Sequence, residues 1–295
     1  MFIVVSLQGG LGNQMFQFAT AKHLAVRNSC QLYLDLSFFD ENSIPNEGFT
    51  PRQYELDIFL RNQHIADKSI INSFYSGSKI ISLLKKWFKI PNKFIFHEKS
   101  LLFDHNVLDI TSTVLLNGFF QSEKYFSSIR ETFLNIFKFP SLNEPILDII
   151  KSKILNCNSV GIHVRRGDFV SSAKTNKFHG ICDVHYYQRA VSMFDTKLNT
   201  PSYFFFSDDI EWVSQHLIFN GRCSIVDTRY LPHWVDMYLM SICKHNIIAN
   251  SSYSWWAAWL NQNEAKLVIA PSKWFEDVSM NLQTSDLYPN EWIKI

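Results

Sequence analysis

The stretch Ser159-Val160-Gly161-Ile162-His163-Val164-Arg165-Arg166-Gly167-Asp168 decides the fold of the second half of this chain. Its alternating apolar residues predict a buried strand that ends abruptly in two arginines, a glycine and an aspartate. Open parallel sheets bind ligands at the carboxyl ends of their strands. Two guanidinium groups at such an end favour a phosphoryl ligand, because each presents a planar fork of donors to paired oxygens. A purely structural network of Arg165, Arg166 and Asp168 is the alternative.

Outward from this strand, apolar strand-like segments alternate with helix-like segments. Strands are predicted near residues 159–165, 202–207, 223–227, 245–249 and 266–270. Helices are predicted near residues 184–198, 209–217, 232–244 and 253–263. Repeated strand–helix units imply a parallel sheet with helices on both faces.

The first half of the chain begins in the same way. A strand at 2–7, a glycine-containing loop, a helix near 14–28 and a strand at 31–36 precede an irregular segment at 40–58. The prolines Pro140 and Pro145 mark a predicted domain boundary. The simplest architecture is α/β, with two doubly wound Rossmann-type domains, residues 1–145 and 146–295, whose carboxyl edges face each other across a cleft.

Composition excludes several kinds of partner and location. The 295 residues carry a net charge of +1, so there is no electrostatic case for nucleic acid as a partner. The five cysteines are scattered without metal-ligand spacing, which indicates reduced thiols in a cytosolic protein. Residues 1–7 are apolar but lack a basic leader, so they predict a strand rather than a signal peptide. No run reaches the roughly 18–20 apolar residues that a membrane span needs.

Polar side chains follow four predicted strands of the second half. They are Arg165 and Arg166, Ser207 and Asp208, Asp227, and Asn250 to Ser252. Because parallel strands end at one edge, these residues predict a single ligand site. Asp208 is a candidate acceptor for the N–H edge of a purine or for a ribose hydroxyl, with helix capping as the alternative. His163 shares a strand face with Arg165, so a contact with ligand stays open beside the role of a core histidine.

The segment Ser251-Ser252-Tyr253-Ser254 opens a predicted helix. Hydroxyl and N–H groups at a helix start suit a phosphate, and ordinary capping is the alternative. Trp255, Trp256 and Trp259 follow at a helical spacing that is more typical of a core than of a sugar-stacking surface.

The loop Gln8-Gly9-Gly10-Leu11-Gly12-Asn13-Gln14 follows the first strand. It has Met15 where the dinucleotide fingerprint needs a third glycine, and it lacks the Gly-Lys pair of a P-loop. What remains is a tight turn at Gly10 that lets backbone N–H groups and the Asn13 side chain face the cleft. An ordinary turn with Asn13 as the helix cap is the alternative. No spaced acidic pair follows a strand, so no metal is predicted.

Residues 79–93 form a basic amphipathic stretch in which apolar side chains share one helical face. A surface helix packed on the core and a contact with a membrane interface are the two interpretations.

Three segments, Gly9–Ala19, His163–Asp168 and Asn250–Leu260, together resemble motifs of the bacterial α-1,2-fucosyltransferases, glycosyltransferase family 11. The resemblance implies a GT-B-like fold, GDP-β-L-fucose as donor, the 2-hydroxyl of a terminal β-galactoside as acceptor, inversion, and no metal. It also implies that the first domain mainly binds the acceptor and the second mainly binds the donor. A fucosyltransferase of another linkage or acceptor is one alternative, and a non-catalytic protein that binds nucleotide sugars or glycans is another.

With this resemblance, Arg165 and Arg166 are expected to stabilise the leaving phosphate, and Asp168 to act as general base or to clamp an arginine. The expected donor-binding residues are Gly10, Asn13, His163, Arg165, Arg166, Asp208, Ser251, Ser252, Tyr253 and Ser254. The expected acceptor is a galactose-terminated oligosaccharide, lipid-linked if the chain serves O-antigen or capsule synthesis. The expected location is cytoplasmic, with residues 79–93 as a candidate contact with the inner face of the membrane.

Overall fold

The computed structural model describes residues 1–43, 51–75, 93–167, 180–217 and 222–295. These residues divide into two units, which are described separately. Unit 1 comprises Met1–Lys138 and Gln283–Leu287, and unit 2 comprises Phe139–Leu282 and Tyr288–Ile295. The first break thus lies between Lys138 and Phe139 rather than between residues 145 and 146, and a short segment near the C-terminus belongs to unit 1.

Unit 1 is built on a parallel four-stranded sheet with the strand order β2-β1-β4-β3. The strands are β1 (Phe2–Ser6), β2 (Gln31–Asp35), β3 (Phe94–His97) and β4 (Val114–Asn117). The helices are α1 (Leu11–Arg27), α2 (Ser37–Glu41), α3 (Lys68–Tyr75) and α4 (Arg130–Ile136). Short 3₁₀ turns occupy Leu56–Ile58, His105–Val107, Glu123–Tyr125 and Ser127–Ile129. Strands β3 and β4 were not predicted, and β4 separates β1 from β3.

Helix α1 begins earlier than the sequence predicts, at Leu11 rather than near residue 14. Gly9 adopts a φ of +77°, and a Cβ at this position would lie 2.5 Å from Asn13 Nδ2, so the close turn requires a glycine. Gly10 is the helix N-cap and its carbonyl accepts the Asn13 N–H at 2.9 Å. Asn13 therefore lies inside the first turn of the helix, where its side chain does not cap.

Unit 2 is built on a parallel six-stranded sheet with the order β10-β9-β8-β5-β6-β7. The strands are β5 (Asn158–Val164), β6 (Pro201–Ser207), β7 (Cys223–Ile225), β8 (His245–Ile247), β9 (Val268–Ala270) and β10 (Ile293–Lys294). The helices are α5 (Pro145–Leu155), α6 (Val184–Lys197), α7 (Ile210–His216), α8 (Trp234–Ser241), α9 (Ser252–Leu260) and α10 (Val278–Asn281).

Strand β5 lies inside this sheet, between β8 and β6. Its residues Ser159–Val164 are buried, because helices cover both faces of a wound parallel sheet. Val164 pairs in register with Ser207, so β5 and β6 end level with each other. This register places the residues after β5 beside those after β6.

The predicted fold class, α/β with wound parallel sheets, is confirmed, because both sheets are parallel throughout their described strands. Within the described part of the chain, no helix combines the length and the apolar character that crossing a bilayer requires.

Candidate active site

Asp208 joins the ends of β5 and β6. Its Oδ1 accepts the backbone N–H of Arg166 at 2.9 Å, and its Oδ2 lies 3.1 Å from Nη1 of Arg165. A Cβ at Gly167 would lie 2.6 Å from Oδ2 of Asp208, so a larger residue would displace this carboxylate. Asp208 was predicted to contact a ligand, and here each of its oxygens already has an arginine contact. A ligand would have to use the remaining lone pairs.

Arg166 is held by two groups on the next strand–helix connection. Its Nε lies 3.0 Å from Oδ2 of Asp209, and its guanidinium carbon lies 3.9 Å from the ring centroid of Trp212. Asp209 also caps α7 by accepting the Trp212 N–H at 3.0 Å. The terminal nitrogens of Arg166 have no hydrogen-bond partner among the described residues. With respect to the described residues, these nitrogens keep their N–H donors for an anion.

His163 is a buried, uncharged histidine beneath the arginines. Its side chain is enclosed, and its Nδ1 has no hydrogen-bond partner among the described residues. Its ring centroid lies 5.8 Å from that of Tyr253, which connects β5 to the start of α9. Burial lowers the pKa of His163 to about 4, with the Asp208 carboxylate opposing this change and Arg165 adding to it. The imidazole is therefore neutral at pH 7.

The neutral state of His163 is measurable. In a pH titration followed by NMR of the histidine ring protons, we expect a midpoint near pH 4 for this residue. A His163→Leu variant, which lacks the resonance, provides the assignment. Because the folded pKa lies below the unfolded value of about 6.5, this residue's contribution to stability is lost as the pH falls from 6.5 towards 4. A midpoint near 6.5 contradicts the burial argument.

The polar side chains at the start of α9 differ in burial and in their hydrogen-bond partners. Tyr253 accepts the Met237 N–H at 2.9 Å and donates its hydroxyl proton to the His233 carbonyl. Ser254 is fully buried and its hydroxyl donates to the Ser251 carbonyl at 3.3 Å. Ser251 and Ser252 are half-buried, so both hydroxyls at this helix start retain partial exposure.

The three tryptophans of α9 are core residues. Trp255, Trp256 and Trp259 expose no more than 1% of their surface. Stacking on a sugar, the weaker of the two interpretations of their spacing, is wrong, because no face of these rings reaches solvent.

Two aspartates contact the connection that follows β7, one within it and one from α8. Asp227 contacts Arg229 through both oxygens, at 3.0 Å to Nε and 2.7 Å to Nη2. The half-buried Asp236 in α8 accepts the hydroxyl of Thr228. Burial raises the pKa of Asp236 to about 6, and the Thr228 hydrogen bond opposes this effect. The Thr228–Asp236 hydrogen bond thus ties this connection to α8.

Gly10 and Asn13 lie in unit 1, at the carboxyl end of β1. There the Asn13 Oδ1 accepts a hydrogen bond from Nε2 of Gln121 at 2.8 Å. Gln121 follows β4, a strand that the sequence did not reveal, and so its role was missed. Its position after a buried apolar run, Val114–Leu116, was the available signal.

Two predicted features lie outside the described residues. One is Asp168, and the other is the basic stretch 79–93 except for Lys93. Lys93 Nζ donates to Ser73 Oγ at 3.0 Å and lies 5.2 Å from the Phe2 ring centroid. Among the described residues, no three His, Cys, Asp or Glu side chains are grouped as metal ligands. Metal independence stays a prediction.

A wound α/β unit that presents oriented arginines at its strand ends suits a phosphoryl ligand. Residues 2–295 match the family described as Glycosyl transferase family 11. The chain belongs to this family, which confirms the resemblance found in the three motifs, and it is a glycosyltransferase.

Two relatives cover nearly the whole chain. The chain is 33% identical to the alpha-1,2-colitosyltransferase of Escherichia coli, over 99% of this chain and 98% of that protein. It is 32% identical to the O-antigen biosynthesis glycosyltransferase WbnK of Escherichia coli, over 96% of this chain and 98% of that protein. Among solved structures, that of the NodZ alpha-1,6-fucosyltransferase soaked with GDP-fucose aligns with 88% of this chain and 92% of its own, at 15% identity and a TM-score of 0.46.

Proposed function

We propose that this chain transfers L-fucose from GDP-β-L-fucose to the 2-hydroxyl of a terminal β-galactoside, with inversion, during the synthesis of an O-antigen. The observation that carries this proposal is the pair of arginines after β5, each fixed by its own carboxylate partner. Membership of the family and the O-antigen glycosyltransferase among the relatives support the substrate class.

In this reaction the bond between the sugar anomeric carbon and the β-phosphate breaks as the acceptor oxygen bonds to the opposite face. Negative charge grows on the leaving phosphate and must meet preorganised donors. Asp208 and Asp209 orient Arg165 and Arg166 before the reaction, so little reorganisation accompanies the transition state. Neutral His163 adds no charge of its own beneath them.

The acceptor hydroxyl loses a proton in the same step, and Asp168 remains our proposed base. A dissociative transition state needs little help from a base, so clamping an arginine is the competing role for this carboxylate. An Asp168→Asn variant separates the two roles, because loss of a base removes the acidic limb of the pH–rate profile. Near-normal turnover with an unchanged profile would exclude the base.

A specific observation supports a second candidate, the transfer of colitose. The relative at 33% identity is named as an α-1,2-colitosyltransferase. Colitose differs from L-fucose by the absence of one ring hydroxyl. A site that hydrogen-bonds a sugar hydroxyl strongly rejects the analogue that lacks it, whereas a site without that hydrogen bond rejects the extra hydroxyl only weakly. Competition between the two donors therefore distinguishes the two candidate functions.

The test is a transfer assay followed by mass spectrometry. Equimolar GDP-L-fucose and GDP-L-colitose compete for β-galactoside acceptors, free and lipid-linked, with and without EDTA. We expect a fucosylated product that persists in EDTA, and NMR then assigns the linkage. An Arg166→Ala preparation made in parallel excludes a contaminating transferase. Preferred transfer of colitose would mean that GDP-L-colitose, not GDP-β-L-fucose, is the donor. Tight GDP binding without transfer to any acceptor would favour the non-catalytic alternative.

A further inference from the structure

The Asn13–Gln121 amide pair in unit 1 presents unused donors beside an unused acceptor. Gln121 Nε2 donates one N–H to Asn13 Oδ1 at 2.8 Å, which leaves both Asn13 amide N–H groups, the second Gln121 N–H and the Gln121 carbonyl oxygen. These atoms have no hydrogen-bond partner among the described residues. Both side chains are half-buried, so they are shielded on one side and open on the other.

The turn that carries Gln121 is held in a costly conformation. Phe120 adopts a φ of +52°, a left-handed conformation that a residue with a large side chain rarely occupies. The Glu98 carboxylate accepts the N–H groups of Phe119 at 2.6 Å and Phe120 at 2.9 Å. From the other side, Gln17 Nε2 in α1 donates to the Gly118 carbonyl at 3.0 Å.

Glu98 is a largely buried carboxylate, and burial raises its pKa even though both N–H groups oppose the change. The buried carboxylate of Glu98 and the left-handed backbone of Phe120 both reduce the stability of the fold. Strained conformations of this kind persist where several surrounding contacts fix them, and they are frequent at functional sites. In this turn, the backbone fixed by Glu98 carries Gln121, whose side chain contacts Asn13.

The Asn13–Gln121 pair lies at the carboxyl ends of parallel strands, which is where ligands bind in open α/β sheets. Strands β1 and β4 are adjacent and parallel, with Val5 opposite Leu116. Asn13 follows the carboxyl end of β1 and Gln121 follows that of β4, so the two amides bridge adjacent strand ends.

The chemistry of the pair selects a neutral ligand. A phosphate offers only acceptors, and the unused Gln121 carbonyl would repel it. Two neighbouring hydroxyls of a pyranose ring can accept from one amide and donate to the other. We therefore propose that Asn13 and Gln121 bind two adjacent hydroxyls of the acceptor sugar, with Asn13 Nδ2 donating to one and Gln121 Oε1 accepting from the other. This inference rests on the proposed glycosyl transfer, and it replaces the predicted contact of Asn13 with the donor.

The test compares Gln121→Ala with wild type on a β-galactoside and on its monodeoxy derivatives. We expect the acceptor KM to rise about tenfold in the variant, consistent with loss of one hydrogen bond. The donor KM should stay within about twofold. One deoxy derivative should be a poor substrate for wild type but carry no added penalty in the variant, which a merely structural role does not produce.

Gln262→Ala, an exposed glutamine of unit 2, is the matched control and should behave as wild type. Gln121→Glu retains an acceptor oxygen and serves if the alanine variant does not fold. An unchanged deoxy penalty, or a rise in the donor KM instead of the acceptor KM, overturns the inference and leaves the proposed function intact. Absence of transfer by wild type overturns both.

Discussion

Arg166→Ala is expected to lower kcat/KM for transfer by about 10²–10³-fold, the usual effect of removing one preorganised donor from a developing negative charge. The orientation of Arg166 is determined by Asp209 at 3.0 Å and by the Trp212 ring at 3.9 Å. Its loss removes the donors to the phosphate and leaves Asp209 without its cation. Steady-state kinetics with the preferred donor measures the effect.

Arg166→Lys is expected to recover little of this activity. An ammonium group can neutralise the charge, but it cannot bond Asp209 through one nitrogen, stack on Trp212 and hold two phosphate oxygens at once. Arg61→Ala removes an exposed arginine of unit 1 and should leave kcat/KM unchanged. A lysine variant with more than about half of wild-type activity would show that charge alone matters and would contradict the bidentate role.

Trp255→Ala is expected to reduce the free energy of unfolding of unit 2 by about 3–5 kcal/mol, because a large buried ring leaves a cavity that its neighbours cannot fill. Trp255 is fully buried, and its ring centroid lies 5.2 Å from Trp256 and 5.4 Å from Trp292. A typical domain has about 5–15 kcal/mol of stability, so this loss is a large fraction of the total.

Urea unfolding followed by far-ultraviolet circular dichroism measures this loss without depending on tryptophan fluorescence. Trp255→Phe retains an aromatic ring and should lose less than the alanine variant. Leu282→Ala truncates a side chain that is 77% exposed and should change stability by less than about 0.5 kcal/mol. A Trp255→Ala variant as stable as Leu282→Ala would contradict the placement of this ring in the core.

The second half of the chain was the more predictable half. Strands β5 to β9 and the helices between them were predicted within a few residues, because strands such as β5 and β6 are largely buried, mainly apolar runs followed by polar residues. The same local signal indicated that arginines, aspartates and serines follow strand ends.

In the first half of the chain, two strands, β3 and β4, were not predicted from the sequence. Strands β3 and β4 are four residues each, and each begins with three apolar residues in succession, so neither shows an alternation of apolar and polar residues. Without β4 there was no reason to place Gln121 near Asn13, although the two side chains are in hydrogen-bond contact.

The sequence by itself determined the class of fold, the family and the chemical character of the strand ends, because alternation and motif spacing are properties of neighbouring residues. Only the tertiary structure decided which groups meet. Arg166 finds its partners 42 and 43 residues away, through the level ends of β5 and β6. Asn13 finds Gln121 at a separation of 108 residues, through the pairing of β1 with β4. Pairing between parallel strands depends on the arrangement of the whole sheet, and no local pattern records it.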